Sequence, residues 1–248
     1  MSGGDGLGLA ADITDLDGGT PEGVSFAEAG MAGYLGTETV LVDVSGGTAG
    51  AAAGIATAVG QLDCDLLVCV DVGGDVLARG GEPGLASPLC DAVMVAAALR
   101  VAGLVKPLLA VIGPGCDGEL TAAEVLERIA RLARAGAWLG AWGLTPQVAD
   151  ELDAATTLVP TEASLQVVRC ARGEVGEAYI RGGRRRVELG PLGALAFVLD
   201  PVAAPSETLP LAHAVTAAES IEEGRAALAA RGIYTELDYE RSRAGEGP

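Results

Sequence analysis

The chain has 248 residues and a formal net charge of −18, which comes from 16 basic and 34 acidic side chains. Half of its residues are hydrophobic but only 3% are aromatic, so Ala, Val and Leu must fill the core. The acidic excess argues against nucleic acid and anionic membranes as partners, because phosphate groups are bound by basic surfaces. The length suits one large domain, and no linker rich in Ser or Pro divides residues 1–248.

The N-terminal segment, residues 1–36, is rich in Gly, Asp and Thr and is weakly patterned, which predicts an irregular or reduced unit. It has neither the basic start nor the apolar run of a signal peptide. No apolar run of the chain is long enough to predict a membrane-spanning helix. Cys69 and Cys90 lie in apolar runs and no C-x-x-C pair occurs, so we expect buried reduced thiols and a cytoplasmic location.

Three consecutive units of the chain have the pattern of an apolar strand, a glycine turn and a helix. The strands are predicted at residues 39–44, 65–71 and 107–112, and the helices at 49–60, at 88–102 and from near Thr121. Thr121 and Glu124 have the spacing of a capping box. Continuous apolar strands that alternate with helices predict an α/β domain with an open parallel sheet and helices on both faces, in three layers.

Beyond residue 136 the pattern is looser. Helices are expected after Thr145, Thr161 and Ser220, and a strand in "GALAFVLDP". The tail "IYTELDYERSRAGEGP" is predicted to begin as a strand and to fray over 240–248.

The basic cluster of Arg181, Arg184, Arg185 and Arg186 is read as a solvated turn or hairpin, with an anion or partner contact as the alternative.

Candidate site residues follow each of the three strands. Right-handed crossovers would bring the glycine turns together at the carboxyl edge of the sheet, where open α/β sheets bind ligands. Asp71 and Asp75 are the candidates for acid/base catalysis, for binding hydroxyl groups of the substrate or for holding a divalent cation, since carboxylates serve all three purposes. The predicted ligand-binding residues are Asp43, Gly46, Gly47, Gly73, Gly74, Arg79, Gly113, Gly115 and Asp117.

Structural explanations compete with some of these assignments. Asp43 at a strand end also suits the cap of the next turn or helix. Asp117 and Glu119 precede a predicted helix, so capping and the helix dipole explain them as well as a ligand does. Arg79 suits either the anionic group of a substrate or an ion pair with Glu82.

The sequence resembles a prokaryotic family known as domain of unknown function 1152. The most specific blocks are "VDVGGDVLARGGEPGLASPLCDAV" and "AAESIEEGRAALAARGIYTELDYER", and supporting ones are "LVDVSGGTAG", "GPGCDGELTAAEVL" and "TEASL". The resemblance extends over roughly residues 37–243. It implies a Rossmann-like α/β fold and no established reaction.

The start of the chain departs from the pattern of that family. Its members usually open with an apolar strand that runs into a "GGGGD" loop, whereas "SGGD" at residues 2–5 follows no strand here. We therefore expect the first strand and helix to be reduced or lost. An uncovered sheet edge or face would follow, and formation of a homo-oligomer is the expected remedy.

Together these features predict an enzyme that acts on a small polar metabolite. Chemistry based on carboxylates and a divalent cation suits a hydrolase or a transferase of a glycosyl or phosphoryl compound. The alternative is a non-catalytic ligand-binding or assembly protein on the same fold, because the chain offers no convincing Lys or His base and no Cys nucleophile.

Overall fold

A computed structural model describes residues 7–9 and 27–245 of the chain. Its helices are α1 (Ala27–Leu35), α2 (Gly47–Gln61), α3 (Pro88–Arg100), α4 (Ala122–Arg134), α5 (Pro146–Leu158), α6 (Glu162–Ala171), α7 (Pro210–Ala214), α8 (Ile221–Ala229) and α9 (Glu236–Gly245). Its strands are β1 (Leu7–Leu9), β2 (Val40–Val42), β3 (Leu66–Val72), β4 (Lys106–Ile112), β5 (Trp138–Gly143), β6 (Gly176–Ile180), β7 (Arg185–Leu189) and β8 (Leu195–Leu199).

The central sheet has four strands in the order β3-β4-β8-β5. β3 and β4 are parallel, and Asp71 lies opposite Val111 in their register. β8 is antiparallel to both β4 and β5, so β5 runs in the same direction as β3 and β4. Two further antiparallel pairs, β1 with β2 and β6 with β7, stand apart from this sheet.

The prediction of an α/β fold is confirmed, but the sheet is mixed rather than parallel. The difference arises because β8, which comes late in the sequence, inserts in the reverse direction between β4 and β5. β5 itself escaped prediction, since "WLGAWG" carries two glycines and shows no alternation of apolar and polar residues.

The main hydrophobic core lies on one face of the sheet. Leu109 and Val111 of β4 are buried there, and they pack with apolar residues of α2, α3, α4, α7 and α8. The composition explains the packing: α3 presents four consecutive small or branched residues, Val95 to Ala98, that are at most 3% exposed. Small side chains allow the helices to approach the sheet and one another closely.

The opposite face of the sheet is covered only in part. A second, smaller core there joins the ends of β3 and β4, through Val72 and Ile112, to α6 and to the β6–β7 hairpin. Farther back along β3, three alternate residues on that face remain exposed: Leu66 at 46%, Val68 at 43% and Val70 at 65%. The expectation of helices on both faces therefore fails for most of β3 among the described residues.

The C-terminal tail also differs from expectation, whereas the N-terminal segment is described only in part. The tail forms helix α9 instead of a strand, and Thr235 stabilises its start by donating its hydroxyl to Asp238 Oδ2 at 2.7 Å. At the other end, the short strand β1 pairs with β2. The "SGGD" segment at residues 2–5 lies outside the described residues, as do residues 246–248 of the tail predicted to fray.

No helix among the described residues has the length and apolar character needed to cross a bilayer. All five cysteines are free thiols. Cys69 is partly buried as expected, whereas Cys90 is exposed, because it lies on the outer side of the first turn of α3.

Candidate functional site

The loops after β3 and β4 meet at the carboxyl edge of the sheet. The N–H of Gly73 donates to the carbonyl of Ile112 at 2.9 Å, and the N–H of Gly115 donates to the carbonyl of Gly73 at 2.7 Å. Parallel pairing of the two strands leaves their following loops side by side, and these two hydrogen bonds join them. Acidic side chains of both loops are thereby brought together.

Five carboxylates gather where the loops meet, and we call them the acidic cluster: Asp71, Asp75, Asp91, Asp117 and Glu119. They fall into two groups of three that share Asp75. In the first group, one oxygen each of Asp71, Asp75 and Asp91 lie within 4.8 Å of one another. In the second group, oxygens of Asp75, Asp117 and Glu119 do the same.

Three members of the cluster are buried and two are partly buried, and some of their oxygens have no polar partner among the described residues. Asp75, Asp117 and Glu119 are only 6%, 8% and 5% exposed. Both carboxylate oxygens of Asp117 and Oδ2 of Asp71 are inaccessible and lack a hydrogen-bond partner among the described residues. Buried carboxylates are normally hydrogen-bonded, paired with a cation or bound to a metal, so these three oxygens indicate a missing partner.

Glu119 is the member of the cluster that the protein itself anchors. Its Oε2 accepts the backbone N–H groups of Ala86 at 2.7 Å and Ser87 at 3.0 Å, and its Oε1 accepts the Ser87 hydroxyl at 2.5 Å. Arg185 of β7 forms an ion pair with the same Oε1 at 2.9 Å and donates to the carbonyl of Asp117 at 3.2 Å. One guanidinium therefore faces five carboxylates.

Proton affinities in the cluster follow from this imbalance. Burial, with the charge of Asp91 as the next cause, raises the pKa of Asp71 to about 8 and that of Asp75 to about 11. Burial and the neighbouring Glu236 raise the pKa of Asp91 to about 6. For Asp117, burial and the charge of Glu119 raise the pKa to about 7. The metal-free cluster thus retains protons at neutral pH.

Glu119 shows the opposite shift for a structural reason. Burial alone would raise the pKa of its carboxyl, but the hydrogen bonds from Ser87 and from the backbone of Ala86 and Ser87 outweigh burial. Its pKa lies below the ordinary value, in contrast to the raised values of the four aspartates.

The donor set suits a hard divalent cation. Mg²⁺ and Ca²⁺ take oxygen ligands at roughly 2.0–2.6 Å, and carboxylates supply both oxygen and charge. Carboxylate oxygens less than 4.8 Å apart can bind one ion of this size together. The unpartnered oxygens of Asp71 and Asp117 would then receive the partner that the described residues do not provide.

A cleft of about 410 Å³ adjoins the cluster at Glu119. The turn after β4 and the start of α4 form one side of it, through Gly115 and Thr121, and the β7 residues Arg186 and Glu188 form the other. Its size is within the range of small-molecule sites. Glu119 is the one member of the acidic cluster that borders the cleft.

Two of the three predicted loops contribute to the acidic cluster, and the described contacts do not connect the third loop to it. Asp71, Asp75 and Asp117 are brought together, whereas the loop of Asp43 contacts residues 215–221. Asp43 Oδ1 accepts the N–H of Ser45 at 2.8 Å, as an aspartate in a turn does. A ligand role for Asp43, Gly46 and Gly47 stays a prediction.

The other predicted glycines serve close packing in this structure. A Cβ on Gly73 would overlap the carboxylate of Asp117, and one on Gly74 would collide with Val125. Equivalent atoms on Gly113 and Gly115 would meet Val167 and the start of α4. Gly73 is the glycine tied most directly to the cluster, since its missing side chain leaves the space that Asp117 occupies.

Arg79 is exposed, and a different arginine pairs with Glu82. The Glu82 carboxylate accepts the backbone N–H groups of residues 79, 80 and 81 and forms an ion pair with Arg128 at 3.1 Å. Contact between Arg79 and a substrate anion remains a prediction.

Three residues in or next to the acidic cluster were not predicted as site residues from the sequence: Asp91, Ser87 and Arg185. Asp91 lies in the first turn of α3, where an acidic residue is ordinarily explained by the helix dipole. Ser87 and Arg185 reach the cluster only through the tertiary fold. One signal was present in the sequence: Ser87-Pro88 marks the start of α3, and this start lies against the loop of Asp75, whose Oδ2 is 3.5 Å from the Ser87 hydroxyl.

A family model described as "protein of unknown function (DUF1152)" matches residues 19–244. The match begins before the stretch from residue 37 in which the resemblance was visible, and it covers most of the chain. No curated protein and no solved structure matches the chain.

Proposed function

This chain belongs to the DUF1152 family, and from its acidic cluster we propose that it is a divalent-cation-dependent enzyme acting on a small polar metabolite. The reaction class is hydrolysis or transfer of a phosphoryl or glycosyl group. The proposal includes a Rossmann-like relationship for the β3–α3–β4 unit, in which the cluster follows the carboxyl ends of parallel strands.

The observation that carries the proposal is the carboxylate of Asp117. It is 8% exposed, and both its oxygens are buried without a hydrogen-bond partner among the described residues. Burying unpaired carboxylates next to one another is unfavourable by several kcal/mol unless protons or a cation compensate. A protein that keeps such an arrangement next to a cleft is expected to use it for binding or catalysis.

A bound cation would supply Lewis-acid polarisation of a phosphoryl or carbonyl oxygen, and it would lower the pKa of a bound water. The residues of the chain would do the rest. Asp71, Asp75 and Asp117 would hold the ion, Glu119 and Arg185 would fix the geometry, and the cleft beside Glu119 would admit the metabolite. A carboxylate not bound to the ion would remain free to accept a proton.

The test is turnover by the purified, metal-depleted full chain on a panel of phosphate esters, sugar phosphates, nucleoside phosphates and aryl glycosides, with and without Mg²⁺ or Mn²⁺. We expect cation-dependent product release that Asp75→Asn lowers by at least about 100-fold. Asp200→Asn is the matched control, because Asp200 also follows a strand, β8, and accepts backbone N–H groups, but it lies at the opposite end of the sheet.

The alternative is a protein that binds its ligand without turnover, and the same metal-depleted chain can be used to distinguish it from an enzyme. Calorimetric binding of one of these metabolites in the presence of Mg²⁺, with no product after prolonged incubation, would favour it. Equal binding by Asp75→Asn and the unaltered chain would exclude the acidic cluster from either role.

We further propose that the chain forms a homo-oligomer through the face of β3 that the described residues leave exposed. Leu66, Val68 and Val70 support this, because exposed apolar residues on an edge strand commonly mark a contact surface. Light scattering of the full chain tests it. A monomer at high concentration, or an oligomer unaffected by Val70→Lys, would contradict this contact.

A further inference from the structure

We infer that the acidic cluster binds two divalent cations, which share Asp75 as a bridging ligand. This deepens the proposed function and rests on it, since it specifies how many ions that site holds and which residues hold each. The first ion would be bound by Asp71, Asp75 and Asp91, and the second by Asp75, Asp117 and Glu119.

Geometry is the first argument for two ions. Ligand oxygens on opposite sides of one cation are separated by at most about 5 Å, twice the longest usual Ca²⁺–oxygen distance. Each group of three satisfies this limit, with one oxygen of each member within 4.8 Å of the others, but the five carboxylates do not form one group within that distance. One ion can therefore be held by either group, but not by all five residues.

The unpartnered oxygens are the second argument, and they are distributed over both groups. Oδ2 of Asp71 belongs to the first group, and the two oxygens of Asp117 belong to the second. A single ion in the first group would leave Asp117 buried without a partner. A single ion in the second would leave Asp71 in the same condition.

Charge is the third argument. The ion pair that the described residues provide to the cluster comes from Arg185, so five carboxylates against one guanidinium leave four negative charges. Two divalent cations balance them. One cation would balance only half of the charge of the fully ionised cluster, so the carboxylates outside its group would have to retain protons or remain as unpaired charges in a site where three of the residues are less than a tenth exposed.

The two ions are expected to bind unequally. Glu119 already accepts hydrogen bonds from Ser87 and Ala86 and pairs with Arg185, so it has less capacity left for a metal than Asp91 has. The second group is therefore the weaker site. Pairs of ions that share a carboxylate stand close enough to hold both the attacking and the leaving oxygen of one phosphoryl group.

The experiment is titration of metal-depleted full chain with Mn²⁺, followed by electron paramagnetic resonance at physiological ionic strength. We expect two Mn²⁺ per chain and the broadened spectrum of two coupled ions. Asp91→Asn and Asp117→Asn should each leave one Mn²⁺ with the six-line spectrum of an isolated ion, and Asp75→Asn should abolish both. Asp200→Asn is the control and should retain two coupled ions.

The outcomes separate this inference from the proposed function. One Mn²⁺ per unaltered chain, with a six-line spectrum, would overturn the two-ion inference and leave a cation-dependent enzyme in place. No Mn²⁺ above the level of weak surface binding would overturn both. Two uncoupled ions, or two coupled ions that persist in Asp75→Asn, would overturn the bridging role. Circular dichroism of each variant shows whether it is folded. The number of Mn²⁺ ions per chain is measured on the unaltered chain and does not depend on the folding of any variant.

Discussion

The loop after β2 and the loop after β3 look alike in the sequence and differ in the fold. Both have a strand, an aspartate, a pair of glycines and a helical segment, in "VDVSGGT" and "VDVGGD". In the first, Asp43 closes a turn by accepting the N–H of Ser45, and Gly47 lies against the backbone of Ser220. In the second, Asp71 and Asp75 join three other carboxylates, and three buried oxygens of this cluster have no partner in the part of the chain that the structure describes.

The difference shows that an aspartate at a strand end indicates a binding site only when the loop of a neighbouring parallel strand places further polar residues next to it. β3 has β4 as a parallel neighbour, so the loop of β4 delivers Asp117 and Glu119 to the same edge. β2 pairs with β1, outside the central sheet, and no acidic loop adjoins its aspartate in the described contacts. The four predictions below separate the two loops experimentally, beginning with the largest expected effect.

Asp75→Asn tests the shared member of the acidic cluster. For the unaltered chain, Mg²⁺ at about 100 times its dissociation constant adds about 2.7 kcal/mol to the free energy of unfolding, which raises Tm by about 5–10 °C in a chain of this size. We expect Asp75→Asn to lose this increase completely while the metal-free variant unfolds at the same or a higher temperature, because the amide is neutral without the proton that the buried carboxyl of Asp75 must take up. Differential scanning calorimetry measures both. A full Mg²⁺ effect in the variant would contradict the site.

The pH dependence of the metal-free protein is the second prediction. The folded-state pKa values of Asp91, Asp117 and Asp71, at about 6, 7 and 8, lie above the unfolded value of 3.8. The folded state therefore binds more protons than the unfolded one, and stability that is complete below the unfolded value is lost as pH rises through the folded values. We expect Tm to fall by at least about 5 °C between about pH 5 and about pH 8.

This prediction has two controls. Excess Mg²⁺ should remove most of the fall, because the cation replaces the protons. The double variant Asp71→Asn, Asp117→Asn should show a shallower slope than the unaltered chain in metal-free buffer. Identical slopes would assign the pH dependence to the surface charge of this acidic protein instead.

The prediction from sequence was successful where local chemistry decides and failed where distant segments decide. The Thr121–Glu124 capping box forms as predicted, with hydrogen bonds of 3.2 Å and 2.8 Å, because both partners are three residues apart. Apolar runs likewise located β3 and β4. In contrast, β8 lies between β4 and β5 through pairing over more than 50 residues, which no local pattern encodes.

The candidate site divides in the same way. Asp71 and Asp75 could be identified because they flank two glycines after an apolar strand. Asp91 could not, since its place in the first turn of a helix is explained by the dipole alone. Arg185 reaches Glu119 from a hairpin whose arginines were read as solvated, and that contact depends on how β6 and β7 pack on the sheet.

Substituting one glycine in each loop is the third prediction. Gly47 and Gly73 both have positive φ, at 60° and 120°, so alanine strains the backbone at either position by about 1–3 kcal/mol. A Cβ on Gly47 would meet the backbone of Ser220, whereas one on Gly73 would overlap the carboxylate of Asp117. We expect both variants to lower Tm, but only Gly73→Ala to weaken Mn²⁺ binding, by at least about 10-fold. Equal Mn²⁺ affinities in the two variants would contradict the assignment of Asp117 as a ligand.

Asp43→Ala has the smallest expected effect and addresses the first loop directly. The substitution removes the acceptor of the 2.8 Å hydrogen bond from Ser45, which is exposed, so the loss in the free energy of unfolding should be about 0.5–1.5 kcal/mol. If Asp43 serves only the turn, then Asp43→Asn restores this stability through its amide oxygen, and the stoichiometry and affinity for Mn²⁺ stay those of the unaltered chain in both variants. An aspartate that only closes a turn contributes to the fold without altering an ion held by the loops of β3 and β4. Loss of one Mn²⁺ in Asp43→Ala would therefore contradict this role and show that the loop after β2 also contributes to the metal site.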